Sequence, residues 1–254
     1  MLIDSHAHIY SKEFDDDRAA VVARAQEEGV DRIYMPNIDH TSIDAMLEAE
    51  AAYKDMCIPM MGLHPTSVNR DFEKELYLVE EWLGKRAFAA VGECGIDLYW
   101  DKTFLPQQQE ALKVQLELAK KYKLPIVLHT RDSFDETYEL VSQAQDGSLK
   151  GIFHCFSGTV EQAAQVKELN FLMGIGGVAT FKNGGLDKVL PHVDISDLVL
   201  ETDCPYLAPV PKRGKRNEPS YLLQVANRVA ELMQKPLEEV AAITTKNARN
   251  LFKL

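Results

Sequence analysis

The sequence contains no C-x-x-C pair. Its four cysteines, Cys57, Cys94, Cys155 and Cys204, are scattered, which fits free thiols in a reducing compartment rather than a disulfide framework. No apolar run is long enough to cross a bilayer. The first strand candidate begins at Met1, which leaves no room for a signal peptide, so a cytoplasmic location and no membrane contact are expected. Linker-like and low-complexity stretches are missing too, and nothing calls for an obligate protein partner. Positive charge is scarce: the formal balance of -11 repels polyanions at long range, so a nucleic-acid substrate would need local cations or metal ions to hold its phosphates. No G-x-G-x-x-G follows the first apolar run, which lowers the case for a dinucleotide-binding open sheet.

What is present is an ordinary globular composition, 46% hydrophobic and 26% charged over 254 residues. That length suits one large α/β domain, residues 1–254, or two smaller ones. Strand candidates are Met1–Ser5, Arg32–Pro36, Ile58–Leu63, Phe88–Gly92, Pro125–His129, Gly151–His154, Phe171–Ile175 and Leu198–Glu201. Between and after them lie helical patterns, such as Leu112, Leu116 and Ala119, or Leu222, Val225, Val229 and Leu232, whose spacing places each set on one face. Strand then helix, repeated about eight times, predicts a (β/α)8 TIM barrel. A doubly wound sheet is its competitor.

The placement of polar residues favours the barrel, which gathers the C-terminal ends of all its strands around one pocket. His6 and His8 follow the first strand, His64 the third, Glu93 the fourth, His129 the fifth, His154 the sixth, and Asp203 the eighth. Of the seven histidines, only His40 and His192 read as ordinary loop residues. Neutral imidazole is a common metal ligand, and residues i and i+2 of a strand point the same way. Four imidazoles (His6, His8, His129, His154) and two carboxylates (Glu93, Asp203) exceed the needs of one ion. They suffice for two, about 3.5–4 Å apart, with a bridging carboxylate. Glu93, from the strand opposite the first, is the natural bridge. Nitrogen and oxygen donors together suit zinc or manganese, or magnesium if waters complete its shell. Asp203 is the candidate general base, since a carboxylate with one oxygen free can take a proton from the attacking water. No Ser-His pairing offers a protein nucleophile.

Other residues carry weaker readings. His64 is left over once two ligand shells are filled, so it is expected to contact substrate, with a structural role as the competitor. Glu201 is expected to form an ion pair behind the ligands. Arg131 is a candidate for a phosphate oxygen, or for a helix-start ion pair. Cys94, Cys155 and Cys204 each follow a proposed ligand, and alternation turns them away as small buried fillers. The run from Lys212 to Asn217 is the only dense basic cluster. Usually such a run is solvated, but this one follows the eighth strand on the same face as Asp203, so Arg213 and Lys215 are expected to hold phosphates.

These motifs resemble the TatD family of metal-dependent deoxyribonucleases, a branch of the amidohydrolase-like barrels. The resemblance rests on Asp4-Ser5-His6-Ala7-His8, Gly62-Leu63-His64-Pro65, Gly92-Glu93-Cys94-Gly95-Ile96-Asp97, His129-Thr130-Arg131, His154-Cys155-Phe156-Ser157-Gly158, Glu201-Thr202-Asp203-Cys204-Pro205 and Arg213-Gly214-Lys215-Arg216-Asn217-Glu218-Pro219, which run in the family's order from end to end. It implies a single barrel domain and hydrolysis of DNA phosphodiesters, in some members from 3′ to 5′. It also implies two divalent cations, one on His6, His8, Glu93 and Asp203 and the other on Glu93, His129 and His154. Two rival readings stay open. One is an amidohydrolase or deaminase of a small neutral ring, although such relatives often bridge their metals with a modified lysine where Glu93 stands. The other is a metal-stabilised quality-control or binding protein with vestigial hydrolysis.

Overall fold

In a computed structural model describing residues 1–253, eight strands alternate with helices along most of the chain. The strands are β1 (Leu2–Asp4), β2 (Val30–Pro36), β3 (Cys57–Met60), β4 (Val91–Asp97), β5 (Ile126–Arg131), β6 (Gly151–Phe153), β7 (Phe171–Ile175) and β8 (Leu198–Leu200). The helices are α1 (Arg18–Glu27), α2 (Ile43–Ala52), α3 (Phe72–Lys85), α4 (Leu105–Tyr122), α5 (Phe134–Ala144), α6 (Val160–Glu168), α7 (Leu222–Met233) and α8 (Leu237–Phe252). All strand pairs are parallel and sequential, β1 to β3 in one run and β4 to β8 in another. Backbone hydrogen bonds join the two runs at both seams. Met61 N–H donates to Ala90 O (3.1 Å) and Gly92 N–H to Met61 O (3.0 Å), while Ser5 N–H donates to Leu200 O (3.0 Å).

Alternation along the strands divides the apolar residues into two clusters. Ile126, Leu128, Phe153, Met173, Leu198 and Leu200 face outward to the helices. Leu112, Leu116 and Ala119 of α4, and Val225 and Val229 of α7, meet them there as the spacing predicted. The inward set is a ring with one residue from each strand or its entry: Ile3, Tyr34, Met60, Ala90, Val127, Ile152, the half-buried Leu172, and Val199. Ala248 and Phe252 of α8 pack onto this ring from below, Phe252 stacking on Tyr34 with centroids 3.8 Å apart. An inner apolar ring fed by all eight strands is the filling of a closed (β/α)8 barrel, not of an open sheet.

Several boundaries differ from expectation. Strand β4 starts at Val91 and continues to Asp97, so Glu93 lies within it rather than at its end. The candidate ended at Gly92, and Gly95 is what lets the strand continue. It has φ +146°, and a Cβ there would lie 2.0 Å from the His129 carbonyl oxygen, so only glycine lets β4 and β5 approach. β5 likewise runs past His129 to Arg131. The unit after β7 has no α-helix; short 3-10 turns from Gly177 to Asp197 make that connection instead. Among the described residues, no helix is long and apolar enough to cross a membrane.

Candidate metal centre

The C-terminal ends of the strands open into a cavity of about 820 Å³. Its lining includes His8, His64, Glu93, His129, Arg131, His154, Asp203 and Arg213. Glu93 sits at the middle, 2% exposed. Its Oε2 faces His6 Nε2 (3.0 Å) and His8 Nε2 (3.7 Å), whereas Oε1 faces His129 Nδ1 (2.9 Å), His64 Nε2 (3.4 Å) and His154 Nε2 (3.5 Å). One carboxylate thus divides the histidines into two groups. Asp203 Oδ1 joins the first, 3.8 Å from His6 Nε2 and 3.6 Å from His8 Nε2. Burial opposes charge on Glu93, but His6, His64 and His154 outweigh it and hold the carboxyl well below its usual range.

The surroundings fix how several imidazoles present themselves. Tyr10 donates its hydroxyl hydrogen to the Pro36 carbonyl (2.6 Å), so its oxygen accepts from His8 Nδ1–H (3.0 Å). His8 Nε2 is then the unprotonated nitrogen, aimed at Glu93 and Asp203. Burial, followed by the His6 charge, pushes the His8 pKa well below normal and keeps the ring neutral. His64 is the opposite case. Its Nδ1 accepts the Thr66 N–H (3.1 Å), so in the neutral ring Nε2 carries the proton and offers no lone pair to the centre. His6 is wholly buried, and although Nε2 lies near Glu93 it is off the line a hydrogen bond needs. Neither of its ring nitrogens has a hydrogen-bond partner. An orphaned, buried imidazole nitrogen aimed between carboxylates is an expensive arrangement unless a cation sits there. The donor set therefore fits divalent metal.

Supporting residues hold the ligands from behind. Glu201, fully buried with its pKa pushed up to about 7 chiefly by burial, places Oε1 2.9 Å from His154 Nδ1 and accepts the Cys155 N–H (2.6 Å). A Cβ on Gly174 would lie 2.3 Å from Glu201 Oε2, so the bare glycine makes room for this carboxyl. Burial pushes Asp203 up to about 6 against the pull of His154 and His6.

Asp97 was given no role by the sequence reading, yet its Oδ2 lies 2.9 Å from His129 Nε2. Counting in twos from Glu93 would have found it, had the strand been carried past Gly92. The hydrogen bonds to Asp97 and Glu93 overcome burial and raise the His129 pKa to about 9, so a metal must displace a proton there. Gln108 and Gln115 of α4 were also missed: Gln108 accepts the Asp97 N–H (2.8 Å) and Gln115 the Leu63 N–H (2.8 Å), clamping the backbone beside the site.

The cysteines and the basic run divide. Cys94 and Cys204 are buried fillers, their thiols kept protonated by burial. Cys155 departs from that expectation and lines the cavity, because β6 ends at Phe153 and alternation stops before it. It sits at φ +49°. Arg213 lines the cavity, its guanidinium 3.9 Å from the Phe181 ring centroid, but Lys215 does not, and Arg216 pairs with Asp17 (2.7 Å). Arg18, Arg24, Arg32, Arg86, Arg228 and Arg249 have carboxylate partners too. Arg131 and Arg213, both on the cavity, have none among the described residues.

A parallel barrel with histidines and carboxylates converging on one pocket defines a metal-dependent hydrolase. The chain belongs to the TatD family: residues 3–253 match the family model described as TatD related DNase. It is 38% identical to the uncharacterized metal-dependent hydrolase YabD of Bacillus subtilis, over the full length of both chains. It is 32% identical to the 3'-5' ssDNA/RNA exonuclease TatD of Edwardsiella piscicida, again over both full lengths. The crystal structure of YjjV, a TatD homologue from Escherichia coli, superposes with a TM-score of 0.94 at 30% identity, covering 100% of this chain and 98% of that one.

Proposed function

We propose that this hydrolase cleaves phosphodiester bonds of DNA, using two divalent cations that share Glu93. The observation that carries the reading is a coincidence in one cavity: a carboxylate whose two oxygens face separate histidine groups, beside two arginines without carboxylate partners. His6, His8, Asp203 and Glu93 Oε2 would hold one ion, and His129, His154 and Glu93 Oε1 the other. When bound, such ions lower the pKa of water toward neutrality and stabilise charge on the attacking and leaving oxygens.

The chain's own residues do the rest. Asp203 takes the proton of the attacking water. With its side chain 14% exposed, against 0% for His6, 5% for His8 and 3% for Glu93, it is the member of its group most open to the cavity. Glu201 stands behind the His154 ring with Oε1 2.9 Å from Nδ1, and Asp97 hydrogen-bonds His129 Nε2 and keeps that ring oriented. Arg131 and Arg213 bind phosphate oxygens flanking the scissile bond, local positive charge that the acidic chain otherwise lacks. His64 Nε2–H is left to donate to substrate. The name of the Edwardsiella relative supports a nucleic-acid substrate and a 3′-to-5′ direction. Glu93 in place of a modified lysine, together with the unpaired arginines, counts against a small neutral ring.

The test is a panel assay of metal-loaded protein on single-stranded DNA, duplex DNA, RNA and cyclic amides, with a single turnover in ¹⁸O-water. DNA should be cleaved and label should enter the phosphate directly. Turnover of cyclic amides alone would establish the small-molecule reading. Binding of nucleic acid without cleavage would establish the vestigial one.

A further inference from the structure

The mouth of the cavity carries aromatic rings that are more than half exposed. Trp100 is 70% exposed and Tyr206 51% exposed, and both line the cavity. They stand on opposite sides of Glu93. Tyr206 lies edge-on to His8, with centroids 6.0 Å apart, and Trp100 is tied to the His129 side through Asp97. That tie is specific: the carboxylate whose Oδ2 meets His129 accepts the backbone N–H of Tyr99 (3.0 Å) and of Trp100 (3.2 Å) with Oδ1. Tyr99 in turn packs on the Arg131 guanidinium, 3.9 Å from its ring centroid, and meets Trp100 edge-on at 4.9 Å. A cation without a carboxylate partner thus lies over two aromatic rings, 3.9 Å from the Tyr99 centroid and 5.4 Å from that of Trp100, and most of the indole still faces solvent beside a residue touching the candidate metal centre.

We propose that Trp100 is the stacking platform for an unpaired nucleobase of the substrate, with Arg131 on the adjoining phosphate. The inference rests on the phosphodiester reading above and adds to it the residue that takes the base. An open indole accepts any base through its π-face, and a guanidinium beside it supplies charge for the backbone, the pairing that single strands use and a duplex denies by burying its base faces. Charge also orients the strand. On the other side of Trp100 lies a smaller cavity of about 320 Å³ lined by Asp39, Glu75, Asp97 and Asp101, which repels phosphate.

The chain has two tryptophans, Trp82 and Trp100, so a Trp82→Phe protein reports on Trp100 alone by fluorescence. It is titrated with a short oligothymidylate built of hydrolysis-resistant phosphorothioates, with an abasic strand of the same length, and with the duplex. Oligothymidylate should quench the fluorescence, and the abasic strand and the duplex should not. Trp100→Ala should weaken oligothymidylate binding by about 5- to 150-fold, the usual worth of one stacked base, and move the abasic strand by less than about twofold. Trp100→Phe should restore most of the loss. Equal quenching by the abasic strand, equal weakening of both strands, or no weakening at all would overturn the platform. Cleavage of ordinary strands by metal-loaded protein is scored separately. Cleavage without a Trp100 effect leaves the phosphodiester reading standing alone, whereas the expected quenching without cleavage leaves only the platform.

Discussion

Two layers fill the inside of this barrel, and they are built from the same strands. On β5, β6 and β8 the inward residue of the lower layer is Val127, Ile152 or Val199. Two positions on, the same face presents His129, His154 or Glu201. The environments are nearly as dry: Ile152 is 0% exposed and His154 only 4%. The lower layer therefore gains about 1.5–3 kcal/mol for each large apolar side chain it buries, while the upper layer must offset the desolvation of every ring and carboxylate. It does so by mutual pairing, and that pairing is incomplete at both ring nitrogens of His6, at His154 Nδ1 and at Glu201 Oε2. Stability is concentrated in one layer and chemistry in the next, two residues up the same strands.

The largest expected effect breaks the upper layer without touching the lower. Asp203→Asn should lower kcat by about 10² to 10⁴, the usual worth of a general base, while the urea midpoint of the metal-free protein stays put or rises. Near-normal turnover would remove Asp203 from the proton-transfer role. Metal content sharpens the same layer. By elemental analysis Glu93→Ala should lose ions from both groups and His6→Ala chiefly from one, and identical losses in the two variants would refute a shared carboxylate.

The converse prediction concerns Phe252, which plugs the lower layer against Tyr34. Phe252→Ala should destabilise by about 3 kcal/mol in urea unfolding, through lost burial and the cavity left behind. The folded fraction should keep its kcat within about twofold, because the plug is at the far end from the candidate centre. A large fall in kcat at unchanged stability would show that the layers are not separable.

That division explains what could be read from the sequence. The strand order and the convergence of the strand-end histidines and carboxylates on one cavity were legible, because period-two alternation and strand-end histidines survive in one dimension. What escaped were features set by neighbours. The fourth strand candidate stops at Gly92, because the close approach of Gly95 to the His129 carbonyl, which carries the strand on, is invisible in one dimension, and that early end hid Asp97. Cys155 was assigned by alternation that stops two residues earlier, at Phe153. The basic run could not be divided at all from sequence. Whether Arg213 or Arg216 is free depends on Asp17, far away in the chain and adjacent only in the fold.

The rim tests that last distinction at smaller scale. Arg213→Ala should raise KM for single-stranded DNA several-fold and reduce the salt slope of log binding by about 0.7, as one phosphate contact would. Lys215→Ala, off the cavity lining, should do less on both counts. Equal effects would mean that the whole loop, rather than Arg213 alone, meets the substrate.

The smallest effect belongs to a charge pair away from the cavity lining. Arg24 makes two hydrogen bonds to Glu218, from Nε to Oε1 (2.8 Å) and from Nη2 to Oε2 (2.7 Å), tying α1 to the segment that follows the basic run. Burial pushes the Glu218 pKa up, but Arg24, with Ser220 and Arg216, more than offsets it and holds the carboxyl below its usual 4.5. A carboxyl with a depressed folded pKa binds protons less readily than its unfolded counterpart. Its stabilisation is therefore complete above the unfolded value and is lost as pH falls through the folded one. Arg24 is 43% exposed, so water and salt screen the pair and its worth is on the order of 1 kcal/mol or less. Glu218→Gln should thus lower the urea midpoint slightly at neutral pH, and the gap from the parent should close as both are acidified below the ordinary carboxyl range. A gap that persists unchanged in acid would assign the effect to packing of the side chain and leave the charge pair without a part in stability.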